Sequence, residues 1–404
     1  LMDVALTRRQ NSVPMAGVPY HSVETYVSRL LNAGRQIAIA EQEADPANPK
    51  LLRRRVRRII TPGTIVEESL LEGAGHNYLM SVSPNGEDNG VALTDISTGD
   101  FFCMDVRVAD DGDRERALRE LFFRFGPREV LVPSGQIKAM REIFSESPGL
   151  CVPVEDWKAS PIEGARQIES RYKQNLKGLG FPDGEPQALG AAALIMHYIS
   201  RTFPADDFYL APPVYRPIEA RYMLLDEQTI RNLDLLSHQQ EGGKSRSLFG
   251  VLDSCRTAPG KRYLKEALLA PLLERDAIEE RLALVSFLTG DPPLREALNE
   301  HLGRVYDMER VLARMGGGRG APRDFGSLVN TVAAAGEIAE LAGALADVEP
   351  AFARLIQLKP EVAQLAAFVA KRVVDEPPAV LGNAAFVREG VDKELDRARE
   401  ARQK

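Results

Sequence analysis

Cysteine, histidine and tryptophan are scarce in this chain of 404 residues, which holds three, five and one of them. Cys103, Cys151 and Cys255 are odd in number, far apart, and form no C-x-x-C or histidine-paired spacing. That excludes a disulfide framework or thiolate metal centre, and reduced structural thiols are expected. His21, His76, His197, His238 and His301 never fall at the H-x-x-x-H or H-E-x-x-H spacing that sets two ligands on one helical face. No metal site is therefore expected. No run approaches about eighteen consecutive apolar residues, and the N-terminus lacks the basic, apolar, small-residue order of a signal peptide. No membrane association is expected, and the setting should be cytoplasmic. A net charge of −7 argues against a surface wholly coated by nucleic acid. Leu1 is no initiator, and Arg402-Gln403-Lys404 stops within a charged helical pattern, so the chain reads as a fragment cut at both ends.

What is present is ordinary globular composition, 44% apolar and 27% charged. The length suggests about two to four domains. Charge is segregated: residues 1–83 hold ten Lys/Arg and eight Asp/Glu, whereas residues 84–404 hold forty-one and fifty. Nucleic-acid contact is therefore expected at the front. Residues 23–42 predict a helix ending near Gly34 and then an alternating strand, and Arg53–Ile60 predicts a second strand stopped by Thr61-Pro62-Gly63-Thr64. A polar, turn-rich stretch over 83–90 reads as a domain boundary. Beyond it lie a strand pair over 91–97 and 99–106, a charged helix over 112–125, a buried strand at Glu129–Pro133 and an apolar helix near 191–201. This predicts a mixed α/β domain. The proline-rich run from Phe203 to Pro217 reads as the second boundary. From Thr229 onward the pattern is helical, with Gly316-Gly317-Gly318-Arg319-Gly320 a break between helices. The domains so predicted are 1–83, 90–203 and 218–404.

Few motifs carry chemistry. Gly243-Lys244-Ser245 and Gly260-Lys261-Arg262 resemble the end of a phosphate-binding loop, but His238 and Cys255 stand where its first glycine belongs. Neither completes a nucleotide site, so no cofactor is expected in this chain. Arg53-Arg54-Arg55-Val56-Arg57-Arg58 is the densest cationic segment. On a regular strand it would set Arg53, Arg55 and Arg57 on one face and Arg54 and Arg58 on the other, suited either to phosphate contact or to a solvated edge. The loop Pro14–His21, with two prolines and the flexible Gly17, presents Met15, Tyr20 and His21 near a helix start, suited either to binding or to a well-packed turn.

Pro14-Met15-Ala16-Gly17-Val18-Pro19-Tyr20-His21, Ile37-Ala38-Ile39-Ala40-Glu41-Gln42 and Arg58-Ile59-Ile60-Thr61-Pro62-Gly63-Thr64, in that order and spacing, resemble signatures of the mismatch-recognition domain of the MutS family. Thr94–Gly99 resembles the start of that family's connector. The segments Thr229–Leu233, Thr257–Leu264, Asp307–Arg314 and Arg388–Asp396 resemble its core, or lever, domain. The resemblance implies a truncated α/β recognition domain, a ribonuclease-H-like α/β connector in which Asp95 and Asp100 need not be catalytic, and the first half of an all-α lever. It implies binding of mispaired or looped-out bases in duplex DNA, with Met15, Ala16, Gly17, Arg54 and Arg58 as DNA-contacting residues. It places a Phe-x-Glu wedge upstream of Leu1 and an ATPase using ATP and Mg beyond Lys404. Other implications are a homodimer, a MutL-type partner on the connector, nucleoid association and no catalysis by this chain. Competing expectations are a MutS-related structural protein binding branched or recombination DNA, and a nuclease built on the connector, which would need a carboxylate cluster.

Overall fold

The computed structural model describes residues 6–8, 14–19, 22–45, 48–71, 73–85, 88–107, 111–144, 150–184, 186–217, 222–237, 246–345, 352, 357–382 and 385–403. It divides into two compact units, Leu1–Ala220 with Leu224–Leu233, and Arg221–Met223 with Asp234–Lys404.

The first unit opens with a short antiparallel pair, β1 (Leu6–Arg8) and β2 (Pro14–Ala16), followed by helix α1 (Val23–Asn32). Val23, Val27 and Leu31 recur every four residues on α1 and face the core. Gly34, at φ +69°, ends the helix by giving its N–H to the Leu31 carbonyl at 2.8 Å, while Arg35 N–H reaches Leu30 at 2.9 Å. Strands β3 (Ile37–Asp45) and β4 (Asn48–Ile60) then form a two-stranded antiparallel ribbon. Its base contributes Ile37, Ile39 and Ile60 to a core shared with Val27, Leu31, Ile65 and Leu70. A core this small gives little independent stability, and the segment leans on the larger sheet that follows.

That sheet has six strands, in the spatial order Val214–Tyr215, Asp100–Arg107, Asp88–Asp95, Leu79–Asn85, Glu129–Pro133 and Leu150–Val154. Strands β5 (Leu79–Asn85), β6 (Asp88–Asp95) and β7 (Asp100–Arg107) form an antiparallel meander. Parallel β8 (Glu129–Pro133) and β9 (Leu150–Val154) add beyond β5, each reached through a helix, α2 (Asp111–Phe125) and α3 (Ile137–Ile143). A meander followed by parallel crossovers is the ribonuclease-H-like α/β architecture expected. Alternation divides the side chains: Val91, Leu93, Phe102 and Met104 join one core, and Ala92, Phe101 and Cys103 the other. The second core is filled by α4 (Pro161–Tyr172) and α5 (Ala188–Thr202). Helix α5 meets its neighbours through backbone. A Cβ on Gly90 would lie 1.9 Å from the Gln187 carbonyl oxygen, and one on Gly164 2.0 Å from that of Leu189. Both glycines are there for close approach.

Two boundaries move. The stretch 83–90 spans the turn of the β5–β6 hairpin, and β5, paired on both sides, lies inside the sheet. The first domain therefore ends before residue 79, not at 83. The proline-rich run does not leave the connector at 203 either. Phe203, Phe208 and Leu210 are buried in its core, and β10 (Val214–Tyr215) pairs parallel with Phe102 and Cys103 as an edge strand. Turn residues and prolines mark hairpins and edges as readily as linkers.

The second unit is helical: α7 (Leu248–Leu252), α8 (Ala258–Leu269), α9 (Arg275–Gly290), α10 (Pro292–Leu302), α11 (Met308–Gly316), α12 (Pro322–Ala344), and further helices at Pro360–Ala370 and Lys393–Gln403. Helix α6 (Glu227–Asn232) belongs to the first unit. Helix α12 is the spine of the second, sharing Ile338 and Ala342 with α10 and Leu328 and Val332 with helix Pro360–Ala370. The glycine run separates α11 from α12 as expected, with Gly318 at φ +71°. No helix among the described residues is long and apolar enough to cross a membrane.

The thiols differ in setting. Burial pushes all three thiols up, but Cys103 and Cys151 are buried while Cys255 is exposed and open to reagent. Brief alkylation of the native protein, followed by intact and peptide mass spectrometry, should modify Cys255 first and Cys103 only after denaturation. Equal rates at Cys103 and Cys255 would refute this placement.

Candidate nucleic-acid interface

The cationic ribbon is not a regular strand pair. Ile39 pairs with Arg58 and Ala40 with Val56, so Arg57 is an extra residue, a β-bulge. Side-chain alternation changes phase there. Cross-strand partners share a face, so Arg58, Arg55 and Arg53 lie with Ile39, Glu41 and Glu43, while Arg54 lies on the opposite face with Val56, Ala40 and Gln42. The expected grouping of Arg53, Arg55 and Arg57 against Arg54 and Arg58 is therefore corrected: the bulge moves Arg58 to the other face. Arg55 and Arg53 stand directly opposite Glu41 and Glu43, and Arg57 Nε lies 3.4 Å from Glu41 Oε2. Arg54 faces neutral Gln42 and is exposed, with exposed Leu52 and Val56 two residues to either side. It is the cation of this ribbon least compensated in register.

Arg58 does something else. Its side chain is 12% exposed, ion-paired through Nη1 with Glu67. Nη2 donates to the Thr64 carbonyl at 3.1 Å, and the guanidinium lies 4.6 Å from the centroid of the Phe203 ring. The expectation that Arg58 contacts DNA is corrected on these grounds: Nη1 and Nη2 are turned to a carboxylate and a carbonyl, Nε is buried, and the guanidinium face lies on an aromatic ring, so the group points into the protein rather than at a phosphate. It rivets β4 to the connector.

The remaining expected residues sit at the start of the ribbon's domain. Met15 lies in β2, its backbone paired with Thr7, and its side chain is outside the described residues. Ala16 and Gly17 are exposed, and a Cβ on Gly17 would meet nothing within 4 Å. The backbone there is open to close approach. Tyr20, His21 and the Gly243–Ser245 segment lie outside the described residues. Gly260-Lys261-Arg262 forms the first turns of α8, capped by Thr257, which accepts from Gly260 N–H at 3.1 Å. Arg262 is 3% exposed and bonded to Asp307, so this segment is a helix start and not a phosphate cradle.

One site residue gave no motif in the sequence. Glu129 heads a strand that is buried throughout, and its carboxylate reaches across to the Thr61–Thr64 turn. Oε2 accepts from Gly63 N–H at 2.8 Å and from the Thr61 hydroxyl, and Oε1 accepts from Tyr198 at 3.2 Å. Gln36 in turn donates to the Tyr198 oxygen at 3.0 Å. Burial pushes the Glu129 carboxyl above its ordinary range despite these donors, which favour the charged form. The signal available was a carboxylate inside the run Glu-Val-Leu-Val-Pro. The Thr-Pro-Gly-Thr signature is thus the joint between recognition segment and connector. Asn77 strengthens it by donating to the Pro62 carbonyl at 3.0 Å.

Asp95 is likewise structural. Burial would raise its pKa, but His76 at 3.0 Å, the Ser97 hydroxyl at 2.7 Å and the Ser97 and Asn77 N–H groups together hold it below the usual carboxylate range. It pins the β6–β7 turn. Among the described residues no three His, Cys, Asp or Glu side chains cluster to hold a metal ion, so the carboxylate group a nuclease would need is not found there.

Comparison with known proteins matches residues 1–69 to MutS domain I, 77–205 to MutS domain II and 228–403 to MutS domain III. The chain is similar to the DNA mismatch repair protein MutS of Leptospira interrogans serogroup Icterohaemorrhagiae serovar copenhageni, 35% identical over 99% of this chain and 43% of the relative. It is 33% identical to that of Thermotoga maritima over 99% of this chain and 47% of the relative, and 34% identical to that of Synechococcus elongatus over 99% and 46%. The chain thus spans less than half the length of these relatives. With three successive domains matched, it belongs to the MutS family and carries that family's domains I, II and III in order.

Proposed function

We propose that this chain is the reading and relaying part of a DNA mismatch-repair protein. The observation that carries this reading is an exposed cationic ribbon within domain I, joined through a buried carboxylate to a connector and followed by a helical domain. Mispaired or looped-out steps unstack at lower cost, so a protein that bends duplex DNA against its minor groove selects them by deformability. The loop at Met15, Ala16 and Gly17 and the Arg54 face of the ribbon would lie against that duplex. The chain itself performs no catalysis and holds no cofactor in this reading. A longer protein would supply ATP and Mg chemistry, pair as a homodimer, switch to a sliding clamp on ATP binding, and recruit a MutL-type partner through the connector, in the cytoplasm at the nucleoid.

Anisotropy titration of matched and G·T-mismatched duplexes at several salt concentrations tests this. Arg54→Gln should weaken binding to both duplexes and reduce the salt slope by about one, the signature of one lost phosphate contact, without changing the melting temperature. Arg58→Gln should lower the melting temperature and leave the salt slope alone. If Arg58→Gln flattens the slope and Arg54→Gln does not, the DNA-facing side of the ribbon is misassigned.

A further inference from the structure

A second concave site lies in the connector, at the end of the sheet formed by the carboxyl termini of β5 and β8. These strands run parallel, while β5 is antiparallel to β6 on its other side. This is where open α/β sheets leave a crevice, because the chain departs to opposite sides. The crevice encloses about 320 Å³, within the range of small-molecule sites. Among the described residues its one ionisable lining residue is Asp156, accompanied by the amides of Asn85, Gln136 and Gln187, with Pro133 and Pro161 as flat apolar walls. Asp156 Oδ1 accepts from Gly135 N–H at 2.8 Å. Its second oxygen has no hydrogen-bond partner among the described residues. Beside the crevice, Trp157 is 67% exposed and Ile162 66%.

We propose that this crevice binds the guanidinium of an arginine side chain presented by a partner polypeptide. A carboxylate with one oxygen unpartnered among the described residues disfavours anions and favours a cation. Three amide carbonyls can accept the in-plane N–H groups that a carboxylate leaves over, and proline rings suit the faces of a planar, weakly hydrated cation better than a tetrahedral, strongly hydrated ammonium. The nearby ammonium, Lys158 Nζ, already lies 3.5 Å from the Trp157 ring centroid, outside the crevice lining. Trp157 and Ile162, next in sequence to the lining residues Asp156 and Pro161, add exposed apolar surface that a free guanidinium would leave uncovered, whereas a residue flanking arginine in a peptide could cover it. This site goes beyond the DNA-reading role and is measured without DNA.

Trp157 is the chain's only tryptophan and adjoins Asp156, so intrinsic fluorescence reports on the site directly. The probes are N-acetyl-arginine methylamide, its lysine and citrulline counterparts, and a tetrapeptide in which leucine follows arginine. The arginine amide should titrate Trp157 saturably, the lysine amide more weakly and neutral citrulline not at all, with the Arg-Leu peptide binding tighter than the amide. Asp156→Asn keeps an oxygen for Gly135 N–H, so melting should be unchanged while arginine affinity falls about tenfold, the worth of one charged hydrogen bond. A citrulline response equal to that of arginine, or full affinity in Asp156→Asn, would overturn the site. Equal affinity of peptide and amide would overturn the polypeptide partner.

Discussion

Replacing Glu129 by alanine is expected to destabilise the first unit by about 3 kcal/mol, because Gly63 N–H and the Tyr198 hydroxyl lose their acceptor inside the protein. Thr61 keeps part of its bonding, since its hydroxyl also meets Thr64 Oγ1 at 2.8 Å. Glu129→Gln should behave differently. Its amide oxygen can accept from Thr61 and Gly63, and its amide nitrogen can donate to the Tyr198 oxygen that already accepts from Gln36. The two variants also separate by pH. Burial raises the folded-state pKa of Glu129 above its ordinary value of 4.5, so the native unit binds this proton more tightly than the unfolded chain does. The stabilisation from that proton is complete below 4.5 and is lost as pH rises through the folded-state value. Urea unfolding followed by Trp157 fluorescence, at pH steps upward from that point, should show wild type losing stability relative to Glu129→Gln. A wild type that gains on the glutamine variant over that range would show that the carboxylate is stabilised when charged, contrary to its surroundings.

The second large effect belongs to the helical unit. Arg262 donates Nη1 to Asp307 Oδ2 at 2.8 Å and Nη2 to Asp307 Oδ1 at 2.7 Å, a two-point contact, and pairs with Glu309 as well. Asp307 also accepts from Arg310 N–H at 3.4 Å, capping α11. Arg262→Ala would leave the half-buried Asp307 carboxylate with Arg310 alone, whose Nε lies 3.7 Å away, and should cost about 2–3 kcal/mol. Lysine should rescue little, since a point charge cannot reproduce the parallel pair of bonds. Burial opposes ionisation of Asp307, yet the Arg262 contacts, the Arg310 charge and the Arg310 N–H together outweigh it and hold the carboxyl below its ordinary 3.8. Its contribution is therefore present above that pH and is lost as pH falls through the lower folded-state value. Thermal melting followed by helical circular dichroism is the measurement. An unchanged helical transition in Arg262→Ala would mean that the pair contributes nothing net.

Much of the architecture was legible because several elements announce themselves through period and punctuation. Val23, Val27 and Leu31 at four-residue spacing, Gly34 after them and the alternating Ile37 and Ile39 define helix, stop and strand. The ordered signatures located the recognition segment, connector and lever. What failed was phase and depth. The bulge at Arg57 depends on which residue of β3 opposes which of β4, and a run of arginines carries no alternation from which to detect it. Arg58 looked like its neighbours because its distinguishing partners, Glu67 and Phe203, are defined only after folding. The 83–90 turn and the 203–217 prolines misplaced two boundaries because a tight hairpin and a linker use the same residues. Glu129 was legible in principle, as a charge inside an apolar strand, but its meaning needed Thr61 and Gly63 brought across from another domain.

The ribbon has a mechanical side. Strand β4 runs thirteen residues, about 40 Å if extended, and is fastened at its carboxyl end by Arg58 on Phe203 and by the Thr61–Glu129 joint. It is a long handle on a short hinge. A tilt of about 5° at the joint sweeps the far end through about 3.5 Å, roughly the rise of one residue along a strand. Conversely, a modest sideways load at the tip arrives at the joint as a large torque, borne by a few hydrogen bonds and one stacked guanidinium.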